Sequence, residues 1–395
     1  MKFRQLAVAL SLAALTAANV HAQPIKVGEL NSYKVFPAFL DPYKKGWQLA
    51  LEEINGNGGV LGRKLEVVSR DDGGNPGSAV RVAEELIARD HVALLMGEFA
   101  SNIGLAVSDL ANRRKTVFVA GEPLTDKLVW QDGNPYTFRL RPSTYTQVAM
   151  LVPEAVKLHK KRWALVYPDY EYGQSAAESF KKLLSKAQPG VEFVAEQAAP
   201  LGKIDAGSVV QALADAKPDA IFSALFATDL QKFVRAGEVR GLFKGKAVFD
   251  LLGGEPEYLD PLGEETPVGW WVTGYPWNQI HTPEHDKFLH AYEKRWKDYP
   301  RLGSVVGYTL MYTVADAIRK AGSTDSDKLI AALEGLKMQT PFGSIVYRAV
   351  DHQSTMGAYV GQLAKKDGKG VMVNWHFANG ADYLPSAADA RKLRK

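Results

Sequence analysis

The stretch ALLMGEFASNIGL, residues 93–105, decides how this chain is read. Ala93 to Met96 is an apolar run of the length expected for a buried strand. Gly97 to Ala100 turn the chain, and Ser101 with Asn102 stands where a helix N-cap belongs, ahead of Ile103, Leu105, Ala106 and Leu110. A strand feeding a capped helix directs free backbone N–H groups, a hydroxyl and the positive end of a helix dipole at one point. Such a point suits a carboxylate or another small anion. In an open α/β sheet it also lies at the carboxyl edge of the strands, where ligands bind. An ordinary helix cap has the same signature, so the stretch alone leaves both readings open.

Upstream, the pattern predicts a strand over Ile25 to Leu30, a helix over Tyr43 to Ile54 with Trp47, Leu51 and Ile54 on one face, a strand over Leu65 to Arg70 and a helix over Ser78 to Arg89. Thr116 to Ala120 follows as a fourth strand. Apolar strands alternating with helices predict a parallel sheet covered on both faces. Residues 121–142 read as irregular and turn-rich. The alternation then restarts, with helices at Tyr145 to His159, Gly173 to Lys186, Gly207 to Ala216 and Asp229 to Val239. Strands at Trp163 to Tyr167, Val191 to Glu196, Ala220 to Leu225, Ala247 to Leu251 and Val268 to Thr273 interleave with them. Helices follow at His285 to Lys297, Val305 to Ala321 and Asp327 to Gly335, and then strands at Ser344 to Tyr347, Gly357 to Leu363 and Val371 to His376. Two successive β/α arrays predict two similar lobes.

The chain has 395 residues, enough for two domains, with 46% hydrophobic and 23% charged residues, an ordinary globular balance. Residues 1–22 read as a secretory signal: Lys2 and Arg4 make a basic start, Leu6 to Val20 is largely apolar, and Val20-His21-Ala22 ends it with small outer residues. The apolar run is shorter than the ~20 residues a spanning helix needs, which favours cleavage over anchoring. Removing Lys2 and Arg4 takes the formal net charge from +4 to +2, which calls for neither nucleic acid nor a membrane surface as partner. The absence of cysteine excludes disulfides, thiolate metal sites and a cysteine-anchored lipid.

Catalytic signatures are missing: the sequence holds no G-x-x-x-x-G-K-[ST], H-E-x-x-H or G-x-S-x-G, and the glycine-rich Gly56 to Gly62 follows a helix, the reverse of a dinucleotide-binding context. His281, Glu284 and His285 flank Pro283 at a helix start, a poor arrangement for a metal. Asp71-Asp72 ends a strand in a polar turn, where solvated carboxylates are expected more often than a cation site. His159 and His376 read as incidental surface or edge residues. Aromatic residues gather at strand ends and loops: Phe36, Phe39, Tyr170, Tyr172, Phe226, Trp270, Trp271, Tyr275 and Trp277. Rings there either line a cleft and stack on a flat ligand or pack between layers.

Several segments, in this order and spacing, resemble the type I periplasmic binding proteins, and more narrowly the leucine/isoleucine/valine-binding family that serves ABC importers. They are GWQLALEEINGNGGVLGRKLEVVSRDD (residues 46–72), GEFAS (97–101), RLRPS (139–143), YEYGQS (170–175), the strands around Asp219 to Phe226 and Val248 to Asp250, and DHQ (351–353). The resemblance implies an α/β fold of two Rossmann-like lobes joined by three crossing segments, residues 23–140 plus 276–353 in one lobe and 141–275 plus 354–395 in the other. Ligand is then held in the inter-lobe cleft, with hinges near Arg139 to Ser143, Thr273 to Trp277 and His352 to Met356.

Carried over by position, Ser101 falls on a serine that binds the ligand carboxylate, between Ala100 and Asn102. Tyr172 falls on a cleft tyrosine of the second lobe. Phe39 and Phe226 fall on positions that are tyrosine in the leucine-binding relatives, and Asp250 falls near the glutamate that meets the ligand ammonium. This chain departs at Gly121-Glu122-Pro123-Leu124, where the amino-acid binders have a small residue and a threonine. Proline lacks an N–H and leucine a hydroxyl, which weakens the grip on an amino acid. Aromatic walls with one anion site imply an aromatic or heteroaromatic monocarboxylate, with Glu122 accepting from a ring N–H or hydroxyl. The expectation is a monomeric periplasmic binding protein that delivers to membrane permease subunits, without cofactor, metal, catalytic residues or nucleic acid. A branched-chain or other amino acid as ligand, and a periplasmic sensor of the same fold, are the alternatives.

Overall fold

The structure is a computed structural model that describes residues 23–394, so the segment read as a secretory signal, residues 1–22, lies outside the described residues. The chain begins as β1 (Ile25–Asn31), α1 (Pro37–Gly56), β2 (Leu65–Asp71), α2 (Pro76–Ala88), β3 (Leu95–Gly97), α3 (Ser101–Arg114) and β4 (Phe118–Ala120), then reaches β5 (Thr137–Arg139). These five strands form one parallel sheet in the order β2-β1-β3-β4-β5. A second array follows: α4 (Thr144–Lys157), β6 (Arg162–Pro168), α5 (Glu171–Ala187), β7 (Glu192–Ala199), α6 (Ala206–Asp215), β8 (Ala220–Ser223), α7 (Ala227–Val239), β9 (Ala247–Gly254), α8 (Pro256–Leu262) and β10 (Trp271–Gly274). The chain returns to the first body for α9 (Pro283–Trp296), α10 (Leu302–Ala321), α11 (Ser326–Leu333) and the hairpin β11 (Lys337–Thr340)–β12 (Gly343–Val346). It then crosses again to β13 (Ala358–Lys366) and β14 (Lys369–Ala378), and ends in α12 (Ala387–Leu393). The second sheet runs β14-β13-β10-β9-β8-β6-β7, parallel from β10 to β7 with β13 and β14 added as an antiparallel edge.

The parallel sheets were legible because central strands such as β6 and β8 carry continuous apolar runs, while β2 and β7 at the edges mix in polar residues. The differences are at short elements. β5 is only three residues, within the stretch read as irregular, and α8, β11 and α12 carry too few residues for a period to register. α1 begins at Pro37, six residues before the expected start, because proline is tolerated in a first helical turn and Phe39 and Leu40 there are buried.

The first body is held by an unusually close pair. A Cβ added to Gly46 of α1 would strike the Ser304 carbonyl of α10, and one added to Gly307 of α10 would strike the Tyr43 carbonyl of α1. Glycines facing each other let two backbones approach until side chains such as Tyr43 and Trp47 interlock, both of them buried. This packing fixes the N-terminal turn of α1, where Phe39 lies.

Between the bodies the chain passes at residues 139–144, 274–283 and 346–358. The first and third passages are bound to each other. Arg139 Nε donates to Gln353 Oε1 at 2.5 Å, and Gln353 Nε2 donates to the Arg141 carbonyl at 2.9 Å. Trp130 Nε1 donates to Asp351, which is also ion-paired with Arg348 at 2.7 Å. The His352 ring lies flat on Phe138, centroids 3.9 Å apart. Arg139 is fully buried without an ion pair, and burial pulls its guanidinium down to about 10. No helix among the described residues is long and apolar enough to cross a membrane.

Candidate functional site

The turn after β3 builds one wall. Gly97 has φ 126°, and a Cβ there would strike the Leu30 carbonyl, so β1 and the turn touch backbone to backbone. Glu98 follows with φ 64°, and the helix cap falls on Ala100, which offers no side-chain oxygen. The expectation that Ser101 and Asn102 cap α3 is therefore corrected: Ser101 is the first helical residue, and Asn102 turns outward and is exposed.

Ser101 has a different task. Its Oγ accepts from Leu124 N–H at 3.2 Å and from Thr125 N–H at 3.1 Å, in a setting where the residue is 1% exposed. A hydroxyl has two lone pairs and one proton. Both lone pairs are occupied, so the proton is free to donate into the cleft. The first N–H groups of α3 also lack intrahelical partners, and the helix dipole adds positive potential.

Facing this corner is a narrow cleft lined by rings from both bodies. Phe226 is the hub. It lies 6.1 Å from Phe39 and 6.3 Å from Phe99 across the cleft, and 6.0 Å from Tyr172 and 6.3 Å from Tyr170 on its own side. Phe39 also meets Tyr258 edge-on at 5.6 Å. Phe39, Tyr172, Phe226 and Tyr258 are buried, so each ring presents one face to the cavity rather than to bulk water.

The polar part of the wall is an ion triad. Arg141, on the first passage between bodies, donates Nη1 to Glu122 at 2.5 Å and Nη2 to Glu255 at 2.5 Å. Glu122 comes from the first body and Glu255 from the second, so the triad also ties the two bodies together. Burial opposes the charge of Arg141, but the carboxylates of Glu255 and Glu122 outweigh it and hold the guanidinium above its ordinary range. The Tyr172 hydroxyl is buried without a partner, and burial pushes its ionisation well up, so it stays a neutral donor and acceptor. Asp250 is 1% exposed with both carboxylate oxygens unpartnered, and burial pushes it well above the usual carboxylate range.

The structure thus brings Ser101, Phe39, Glu122, Tyr172 and Phe226 to one cavity. Ala100 is the buried cap beneath it, and Pro123 packs on Gly104 of α3 rather than lining the space. Asp250 stands behind the wall, close enough for its charge to act on Tyr172 and Tyr258. Sequence reasoning missed Phe99, Arg141, Glu255 and Tyr258 as wall residues. Phe99 and Arg141 lay inside the segments GEFAS and RLRPS, whose spacing was noted without a task for either side chain. Tyr258 is on α8, which carried no periodic signal.

Other candidates resolve outside the cavity. Tyr170 joins its wall, but Trp270 packs on Phe243, Trp271 on Phe249 and Trp277 on Tyr299. His285 meets the Tyr275 hydroxyl at 2.7 Å in the core, and no cluster of His, Cys, Asp or Glu suited to a metal occurs among the described residues. The expectation of solvated carboxylates at Asp71-Asp72 is corrected for Asp72, which is 1% exposed because Ser32 Oγ and Gly74 N–H both close on its Oδ1 at 2.7 Å.

The profile of the family described as periplasmic binding protein matches residues 24–369. A Leu/Ile/Val-binding protein homolog from Brucella suis is 28% identical over 350 residues, covering 84% of this chain and 86% of the relative. Among solved structures, an ABC-transporter solute-binding protein of Rhodopseudomonas palustris BisB5 in complex with 3,4-dihydroxybenzoic acid is 26% identical, with a TM-score of 0.79 over 91% of this chain and 98% of that one. One from R. palustris HaA2 in complex with p-hydroxybenzoic acid is also 26% identical, with a TM-score of 0.82 over 90% of this chain and 97% of that one.

Proposed function

The chain belongs to the type I periplasmic binding proteins of the branched-chain amino acid-binding family, and on that premise we propose that it is the periplasmic solute-binding component of an ABC importer for an aromatic or heteroaromatic monocarboxylate. The lobes are residues 23–140 plus 276–353 and 141–275 plus 354–395, and they close on the ligand about the passages that join them. One observation carries the ligand class: the Ser101 hydroxyl, which accepts from two backbone N–H groups and so has its proton left to donate, sits at the edge of a cleft walled by aromatic rings. A ring carboxylate takes that proton and the α3 N–H groups with its charged end, while its flat face meets Phe39, Phe99 and Phe226. Each well-oriented ring pair is worth ~0.5–1.5 kcal/mol beyond area burial.

Glu122 and Tyr172 fall at the far edge of the ligand in this proposal, with Asp250 behind them. Arg141 pairs with Glu122 and so weakens its repulsion of a carboxylate held at the opposite end of the cleft. The spare acceptors of Glu122 and the unpartnered Tyr172 hydroxyl suit a ring hydroxyl or N–H. The aromatic acids in the R. palustris complexes support the same class. Delivery to membrane permease subunits follows from the role. An amino acid is the second reading, favoured by the unpaired Asp250 carboxyl, which an ammonium would neutralise.

Competitive calorimetric titration with 4-hydroxybenzoate, benzoate, nicotinate, phenylalanine and leucine tests the proposal. The ring acids are expected to bind more tightly than leucine. Tight leucine binding with no response to the ring acids would return the protein to the amino-acid binders.

A further inference from the structure

The short helix α8 belongs to the second body, yet it and its cap residue make contacts beyond that body at four positions. Glu255 binds Arg141 and Tyr258 meets Phe39 edge-on, both in the cleft. Glu257 and Asp260 do not line the cleft. They bind the start of α10 and the loop that leads into it.

Glu257 is 6% exposed, and both of its oxygens are engaged. Oε1 accepts from Gly303 N–H at 2.8 Å and Oε2 from Leu302 N–H at 3.1 Å. These are the first two N–H groups of α10, which find no partner within their own helix. A helix is ordinarily capped by the residue before it, but here that residue is Arg301, whose guanidinium only donates. The cap therefore comes from the other body, as a carboxylate at the positive end of a 20-residue helix. The docking point adjoins the ligand wall: a Cβ added to Gly303 would stand 2.7 Å from the Phe39 carbonyl.

Asp260 lies one helical turn further on and faces the same way. Its Oδ1 accepts from the Tyr299 hydroxyl at 2.7 Å and its Oδ2 from Arg301 Nε at 3.1 Å. Both donors are held in place. The Tyr299 ring stacks on Trp277 of the second passage, centroids 4.6 Å apart, and the Arg301 guanidinium lies 4.3 Å from the centre of the Tyr299 ring. Asp298 pairs with Arg301 at 3.1 Å. Separating the two bodies would strip α10 of its cap and break the Asp260 bonds together.

We propose that Glu257 and Asp260 form a clasp that holds the two bodies closed and so sets ligand affinity without touching the ligand. The proposal rests on the two-lobe reading above and not on the ligand class. Tyr258 lies between the two acids, so closing the clasp and seating Tyr258 against Phe39 are one movement. Ligand and clasp then favour the same state, and each strengthens the other by the same factor. A binding-competent state that is only partly populated scales the affinity by its fraction, so loosening the clasp weakens binding with every ligand contact still in place.

The chain has no cysteine, so a labelled pair reports cleanly. Lys34→Cys with Lys203→Cys places one exposed spin label on each body, and pulsed electron resonance gives the distance between them. Spectra are taken without ligand and with 4-hydroxybenzoate, at pH 8, because burial pushes Glu257 up to about 7. Glu257→Gln presents an amide nitrogen that cannot accept, which leaves one α10 N–H unpaired. Asp260→Ala removes a half-exposed partner and spares the interior, so the test does not depend on the buried variant folding.

Both variants are expected to gain a longer-distance population. The dissociation constant for 4-hydroxybenzoate should rise tenfold or more in Glu257→Gln and about two- to fivefold in Asp260→Ala. A wild type that ignores 4-hydroxybenzoate would count against the ligand class alone, and the ligand-free distances then decide the clasp. Distances equal to wild type in both variants would overturn it. So would weaker binding without a longer-distance population, which would leave Glu257 and Asp260 merely supporting Tyr258.

Discussion

Replacing Ser101 by alanine removes the one oxygen on which Leu124 N–H and Thr125 N–H both close. All three residues are at most 5% exposed, so neither N–H gains bulk water in exchange. An orphaned buried donor costs roughly 1–3 kcal/mol, and two cost about 2–6 kcal/mol. A water drawn from the adjoining cavity into the vacated space returns part of this, leaving an expected loss of about 2–3 kcal/mol. A serine that merely capped α3 would lose ~1 kcal/mol on substitution. The same change also removes the proton offered to the ligand carboxylate. A hydrogen bond to a charged group is worth ~1.5–3 kcal/mol, or about 10- to 150-fold in affinity. Urea denaturation gives the first quantity, and calorimetric titration with 4-hydroxybenzoate gives the second. Stability within about 0.5 kcal/mol of wild type would refute the assignment of the two N–H groups to Ser101. Normal affinity in a destabilised variant would confine Ser101 to a structural task.

Arg141→Met should destabilise by about 3–5 kcal/mol at pH 7, because Glu122 and Glu255 are left buried and unpaired. Urea denaturation at pH 7 would show a loss below about 1 kcal/mol if these pairs were solvated. His285 is held neutral by burial, its ring pulled down to about 4. Its contribution is therefore present above pH 6.5 and lost as pH falls toward 4, by ~3 kcal/mol in all. A stability profile of His285→Gln with the same acid slope as wild type would contradict this. Small-angle scattering should show a smaller radius of gyration on saturation with 4-hydroxybenzoate if the lobes hinge at the passages near residues 139–144, 274–283 and 346–358. An unchanged radius would mean that closure does not await ligand.

The sheets were legible because β6 and β8 hold apolar runs bounded by turn residues, and the helices because their buried faces recur every three to four positions. Of the strand-end aromatics, Phe39, Tyr170, Tyr172 and Phe226 reach the cavity while Trp270, Trp271 and Trp277 pack on other rings, a choice that position in the sequence does not decide. What could not be read was pairing at a distance. Arg141 meets Glu122 nineteen positions away and Glu255 more than a hundred away, and no local pattern records such a bond. Ser101 shows the same limit. Its position at a helix start was visible, yet its partners come from a loop more than twenty residues on, and that changes a cap into a donor. Asp72 was misjudged because burial by Ser32, forty residues earlier, is invisible in a turn rich in glycine.

The interlock of α1 with α10 has a kinetic side. Gly46 can meet Ser304 only after more than 250 further residues have been made, and the bond from Trp130 to Asp351 must wait longer still. Contacts so far apart in sequence carry a large loop-closure entropy and slow the search for the native topology. Until α10 arrives, Tyr43 and Trp47 have no partner face, so a chain stalled before Leu302 should present a sticky, unfinished first body.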